Sequence, residues 1–345
     1  MRPPRGTKLD AVGLLRWMTG LIRGRRTLSE LTDTYVPRSE AVVLDPEELY
    51  EVDSDVPDLT GAVLLHHFEG FMDAGSAGRL TAEHLLSSFE HRVVARFDVD
   101  RLIDYRSKRP LMTYVTDHWA EYQAPELVVH LLHDTNGTPF LLLTGPEPDH
   151  DWERFTTAIR ALNERWGVRL TVGMHGIPMG VPHTRPLGVT GHGTRPELVG
   201  EFPPVLNRLQ VPGSVSALLE FRLGENGHDA VGFAAHVPHY LAQASYPAAA
   251  VVLLGAVTRV TDLHFPDDTL HAAANRADIE INRQVNGSDE VADVVRALEE
   301  QYDRFAEGAA RNSLLAEGVD RMPTAEELGS EFERFLAEQQ GNPDQ

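Results

Sequence analysis

Short, nearly unbroken apolar runs recur through the first half of the chain: Ala62–Leu65, Val93–Phe97, Leu127–Leu132, Phe140–Leu143 and Leu170–Gly173. Runs this short, with little polar alternation, fit strands covered on both faces. Helical periodicity falls between several of them. Ala74 to Phe89 reads as a helix, with Asp73 as its cap and Leu85, Leu86 and Phe89 on its buried side. After Asp151, a second cap candidate, Phe155, Ile159, Leu162 and Trp166 fall at i, i+4, i+7 and i+11, one stripe of a helix. Strand and helix in alternation predict an α/β fold with a mostly parallel or mixed sheet and helices on both faces.

From about Tyr240 the texture becomes helical. Ala248 to Val260 is small and apolar, as in a buried helix, and 267 to 285 reads as a polar-faced one. Ser288 then caps a helix whose Val291, Val294, Val295, Leu298, Tyr302 and Phe305 form an apolar stripe. Thr324 with Glu327 makes a capping box for a last helix through Leu328, Phe332 and Phe335. Residues 288–338 hold 14 acids and 5 arginines, so that face is solvated. The stripe needs a partner surface, on its own domain or on another subunit. The pattern divides the chain into an N-terminal extension (1–40), an α/β domain (41–265), a helical C-terminal part (266–338) and a disordered tail (339–345).

Composition narrows the class. Hydrophobic residues at 42% and charged residues at 24% of 345 exclude a fibrous, disordered or membrane-spanning chain. Asp and Glu total 52 against 31 Lys and Arg, a net charge of -21, which repels nucleic acid. Cysteine is absent, excluding disulfides and thiol catalysis and fitting a cytoplasmic location. The charge is uneven, since residues 1–26 carry seven bases and only Asp10 as an acid. Leu14, Leu15, Trp17, Met18, Leu21 and Ile22 sit among those bases, but Arg16 and Gly20 interrupt them. This is neither a signal peptide nor an integral membrane segment. It reads as a flexible basic extension or a start placed too far upstream, with a membrane-surface helix as a minor option.

Candidate chemistry is sparse. The string Phe68-Glu69-Gly70-Phe71-Met72-Asp73-Ala74-Gly75 joins a strand to a helix, where open α/β sheets bind ligands. Gly70 and Gly75 permit a sharp turn and Asp73 caps; the pattern is no phosphate-loop motif. Ser76 lacks the G-x-S-x-G elbow of an esterase nucleophile. Histidines gather between His175 and His239, but His236 and His239 flank Pro238 and form no zinc-helix pair. Arg185, held between Thr184 and Pro186, is placed to clamp a carboxylate or phosphate. Gly70, Asp73, Gly75, His175, His183, Arg185 and His239 are therefore the candidate ligand-binding residues. Glu147 and Asp149 read as water-facing acids, and Asp104–Pro110 as a basic loop toward an acidic neighbouring subunit. No residue stands out as catalytic, and no metal or cofactor is expected.

Several strings, in order, carry a resemblance: FEGFMDAG, DYRSKRP, PFLLLTGPEPDHDWERF, GIPMGVPHTRP and HVPHYLAQASYP. Together, from about Leu44 to Phe335, they resemble the bacterial, actinobacterial-type branch of the PAC2 family, named for proteasome assembly chaperone 2. The resemblance implies a three-layer α/β/α sandwich of phosphorylase/hydrolase-like type with added C-terminal helices. It also implies a homo-oligomer, with a trimer foremost, and a chaperone-like, proteasome-related partner role without catalysis. Eukaryotic relatives act on proteasome α-rings. Some archaeal relatives dock through a C-terminal hydrophobic-Tyr-X tail, which Asn342-Pro343-Asp344-Gln345 does not match. The alternative reading is a phosphorylase- or hydrolase-like enzyme acting on a small anionic substrate at the strand ends.

Overall fold

Three of the expected apolar runs, at Val63–Glu69, Pro139–Pro146 and Leu170–Met179, lie side by side at the centre of one sheet. The computed structural model describes residues 45–200, 202 and 209–314. The basic extension, the Thr324–Glu327 capping box and the C-terminal tail lie outside the described residues. The strands are β1 (Tyr50–Val52), β2 (Val63–Glu69), β3 (His91–Phe97), β4 (Met112–Val115), β5 (His118–Tyr122), β6 (Val128–His133), β7 (Pro139–Pro146), β8 (Leu170–Met179), β9 (Val189–Gly193) and β10 (Ala230–Pro238). The helices are α1 (Ala77–Ser88), α2 (Val99–Leu102), α3 (Trp152–Trp166), α4 (Val215–Glu225), α5 (Pro247–Thr261), α6 (Asp268–Val285) and α7 (Asp289–Leu314).

Eight strands form a mixed sheet in the order β1-β3-β6-β7-β2-β8-β10-β9. The central β7, β2, β8 and β10 run parallel to one another, and the flanking strands pair antiparallel. Alternate side chains enter two separate cores. Val63, Leu65, Phe140, Leu142, Val172 and Phe233 pack beneath α1 and α5. Leu64, Leu141 and Leu143 face Phe155, Ile159 and Leu162 of α3 and Leu219 and Leu223 of α4. The fold is therefore the expected three-layer α/β/α sandwich. Helix α6 packs outside α5, and α7 follows against α6.

Two parts of the fold escape the hydrophobic pattern. Strand β10 is buried along its whole length, yet it holds Gly232, Ala234 and Ala235 in place of bulky apolar residues. Space decides this, because a Cβ on Gly232 would lie 2.1 Å from the His192 ring of β9. The other is the β4–β5 hairpin, a separate two-stranded sheet exposed throughout. Its register puts Met112 opposite Tyr122 and Tyr114 opposite Trp119, so these four share one face. The Tyr114 and Trp119 rings meet edge-on at 5.2 Å.

Local caps also depart from expectation. Asp151 takes a left-handed φ of 54° and makes no side-chain cap bond; its carboxylate lies 3.7 Å from Arg154 instead. Ser288 does cap α7, accepting from Val291 N at 3.5 Å. Of the α7 stripe, Val295 is buried, while Val291, Val294 and Phe305 stay exposed.

Phe155 is the keystone of the α3-side core, fully buried with its ring 5.0 Å from Phe97 and 5.7 Å from Phe68. Phe155→Ala is expected to cost about 3–5 kcal/mol through the cavity it leaves. Urea denaturation checks this, and a loss below about 1 kcal/mol would mean the core collapses around the gap.

Candidate functional site

β2 and β7 are adjacent and parallel, ending at Glu69 and Pro146. After β2 the chain enters α1 on one face, and after β7 it enters α3 on the opposite face. Adjacent parallel strands whose chains leave on opposite faces open a crevice at their carboxyl ends. A cavity of about 530 Å³ occupies it, lined by His67, Glu69, Asp73, Lys108, Glu147 and Trp152 among others. Its size suits a small organic molecule.

Asp73 organises the floor. The expected helix start at Ala74 is a 3-10 turn over Ala74–Ser76, with Gly75 at φ 66° and Ser76 at φ 52°. α1 itself begins at Ala77. The Asp73 carboxylate still caps it, from farther back in the chain. Oδ1 accepts from Gly78 N at 2.8 Å and Oδ2 from Arg79 N at 3.0 Å. Oδ1 also accepts from Gly176 N of β8 at 3.0 Å, so one side chain ties the loop, the helix and the neighbouring strand together.

His67 stands beside it, 4% exposed. Its Nδ1 lies 3.3 Å from the Met174 carbonyl, which can only accept, so Nδ1 carries the proton. Nε2 is then a lone pair with no hydrogen-bond partner, 3.7 Å from Asp73 Oδ2. Burial holds this imidazole below its ordinary pKa despite the nearby Asp73 carboxylate. α1 comes this close because Gly78 has no side chain; a Cβ there would lie 2.4 Å from His67 Nδ1.

Of the acids after β7, Asp149 is exposed, as the sequence reading expected, and Glu147 is half-buried, but both are engaged by the chain. Glu147 accepts from Val215 N at 2.8 Å and from Phe71 N at 3.1 Å, lying directly over Gly70. Asp149 accepts from Asp104 N at 2.7 Å and Ser107 Oγ at 3.0 Å. Loop N–H groups at strand ends lack ladder partners, and these carboxylates supply them. Within the basic loop, Lys108 bonds the Glu69 carboxylate at 2.9 Å and its carbonyl at 3.1 Å, while Arg106 turns back onto Asp104. Those two bases are engaged within the chain.

The seven sequence-selected residues do not share one place. Gly70 and Asp73 line the cavity, and Gly75 is buried in the turn beneath it. His175 lines a smaller crevice of about 50 Å³ that shares His67, Phe71 and Glu147 with the cavity. Of the other three, His183 and Arg185 secure the outer helices, while His239 packs on its neighbour Tyr240. His183 Nδ1 lies 2.7 Å from the Tyr240 hydroxyl, and Nε2 lies 3.3 Å from Asn282 Oδ1 of α6. Arg185 grips Asp303 of α7 with two bonds of 2.8 Å and reaches Glu299 at 3.3 Å. His239 sets its ring edge-on to Tyr240 at 5.5 Å. Sequence reasoning missed His67, although a His-His pair inside an apolar strand was its signal. Among the described residues no three His, Asp or Glu side chains converge to hold a metal ion.

A second histidine group lies on the α4 side of the sheet. Burial, then neighbouring His67, His175 and His192, pushes His66 down to about 3. Burial likewise brings His175 to about 4. His192 is paired with Glu220 at 2.8 Å. In the unfolded chain these imidazoles titrate near 6.5. Between those values the unfolded state binds protons that the folded state refuses. The contribution of His66 and His175 is therefore full above about pH 6.5 and falls as pH drops toward about 4, opposed by His192, whose pKa the Glu220 pairing raises. Thermal melts are expected to show this decline, and His66→Leu to reduce its slope. An unchanged Tm from about pH 7 to about pH 5 would contradict the assignment. Separately, Asp73→Ala strands three backbone N–H groups and is expected to cost about 3 kcal/mol in urea denaturation, with Asp73→Asn costing less.

A family model described as "PAC2 family" matches residues 67–285. A crystal structure of a Mycobacterium tuberculosis protein of unknown function is 50% identical with a TM-score of 0.73, covering 75% of this chain and 92% of that one. A Corynebacterium glutamicum protein of unknown function is 36% identical at TM-score 0.71, covering 74% and 97%. A Mycobacterium tuberculosis proteasome-assembly chaperone homologue is 27% identical at TM-score 0.63, covering 68% and 99%. The comparison with curated proteins finds no match. With its α/β/α layers and motifs matched across most of the described residues, the chain belongs to the PAC2 family.

Proposed function

We propose that this chain is a non-enzymatic, chaperone-like protein of the cytoplasm that works as a homotrimer and binds other polypeptides in a proteasome-related role. The observation that carries this reading is the β4–β5 hairpin. Its apolar face of Met112, Tyr114, Trp119 and Tyr122 stands in water, with Trp119 63% exposed. A lone two-stranded hairpin is marginally stable, and contiguous apolar surface of this kind marks contacts with other proteins. Leu111 at its base extends the patch. A Mycobacterium tuberculosis relative, described as a proteasome-assembly chaperone homologue, supports the partner class.

The alternative, an enzyme on a small anionic substrate, has the cavity's charge against it. Four carboxylates, Glu69, Asp73, Glu147 and Asp149, face only Arg79 and Lys108. That balance repels an anion.

Light scattering on the purified protein is expected to give three times the chain mass, with proteasome α-subunits retained on the immobilised protein. The Tyr114→Ser, Trp119→Ser double variant should keep its melting temperature and lose assembly, α-subunit binding, or both. A monomer at micromolar concentration that retains no α-subunit would overturn the reading.

A further inference from the structure

We propose that the cavity at the ends of β2 and β7 binds a small, neutral, polyhydroxylated molecule bearing vicinal hydroxyls. Three independent observations meet there. The first is position: the crevice lies where the chains leaving two parallel strands diverge to opposite faces, and it has the volume of a ligand site. The second is His67, a buried side chain on the cavity wall whose Nε2 has no partner. Nε2 faces Asp73 Oδ2 at 3.7 Å, acceptor against acceptor. A hydroxyl donated toward that gap relieves an uncompensated buried lone pair.

The third is the set of valences left unused. Lys108 spends two of its three protons on Glu69, leaving one. Glu69 gives Oε2 to Lys108 and keeps Oε1 free. Asp149 gives Oδ2 to Asp104 N and Ser107 Oγ and keeps Oδ1 free. The Ser76 hydroxyl, held half-buried by its left-handed backbone, has no partner among the described residues. Donors and acceptors are thus interleaved, and a hydroxyl, which is both, matches such a lining better than a pure acceptor or a pure donor. Backbone N–H groups bond Glu147 and Asp73, and Lys108 pairs with Glu69, so much of the lining's negative charge is held by partners within the chain. Phe71, Ile103 and Trp152 add apolar wall. The Trp152 indole N–H is already bonded to the Pro148 carbonyl, so its ring offers only apolar surface.

The test uses the full chain with myo-inositol, glucose and ribose as probes, 2-deoxyribose as the control lacking one diol, and inorganic phosphate and spermidine as charged competitors for the assignment. Binding is followed by saturation-transfer NMR and by thermal shift. At least one polyol is expected to saturate at millimolar concentration, with the deoxy control about tenfold weaker. Glu69→Gln and Ser76→Ala, both at solvent-reached positions, should each weaken binding about five- to tenfold while leaving the melting temperature of the free protein unchanged. The proposal is overturned if no polyol saturates, if phosphate or spermidine binds in its place, or if both variants bind as the parent does.

Discussion

Everything in this molecule follows from the need to cover four parallel strands on both faces. β7, β2, β8 and β10 carry apolar or small side chains on each side, so neither face can meet water. Helices must therefore leave the sheet in both directions. α1 and α5 take one face, α3 and α4 the other. That division separates the loops after β2 and β7 and opens the crevice between them. The site is thus a by-product of how the core is closed, built before any of its polar residues is specified.

The polar groups then hold the crevice in shape. Asp73, Glu147 and Asp149 each accept from two or more groups that loops would otherwise leave unpaired. Backbone donors, not cations, carry most of this compensation. An acid-rich lining is consequently stable without a bound counter-ion, and its residual polarity is short-range and directional. A similar division of labour appears at the outer layer. Arg185 and His183 connect the loop after β8 to α7 and α6, and the Tyr302 hydroxyl donates to the Pro186 carbonyl at 2.9 Å.

The layers were legible in the sequence because bulky apolar runs and the Phe155, Ile159, Leu162, Trp166 stripe report burial directly. β10 was not, because its Gly232, required beneath the His192 ring, and its Ala234 and Ala235 carry little hydrophobic signal. The hairpin was hidden for the opposite reason: its apolar residues are exposed, so no core pattern surrounds them. At the site, Gly70 and Asp73 could be read from the strand-to-helix turn, since turn chemistry is local. The roles of Glu147 and His67 could not, because their partners, Val215 N at one and Met174 O at the other, lie 68 and 107 residues away. His183, Arg185 and His239 looked like a site for the same reason. A cluster along the chain says nothing about which helix will return to meet it, and here α6 meets His183 and α7 meets Arg185.

The root of the β4–β5 arm has a mechanical consequence. The segment leading into it contributes Asp104 N and Ser107 to Asp149, and Lys108 to Glu69, so the arm is hinged on the rim of the crevice. Arm and crevice share those joints. Any coupling between arm and rim would have to run through these few bonds, and it would be reciprocal, with the same free energy at either end.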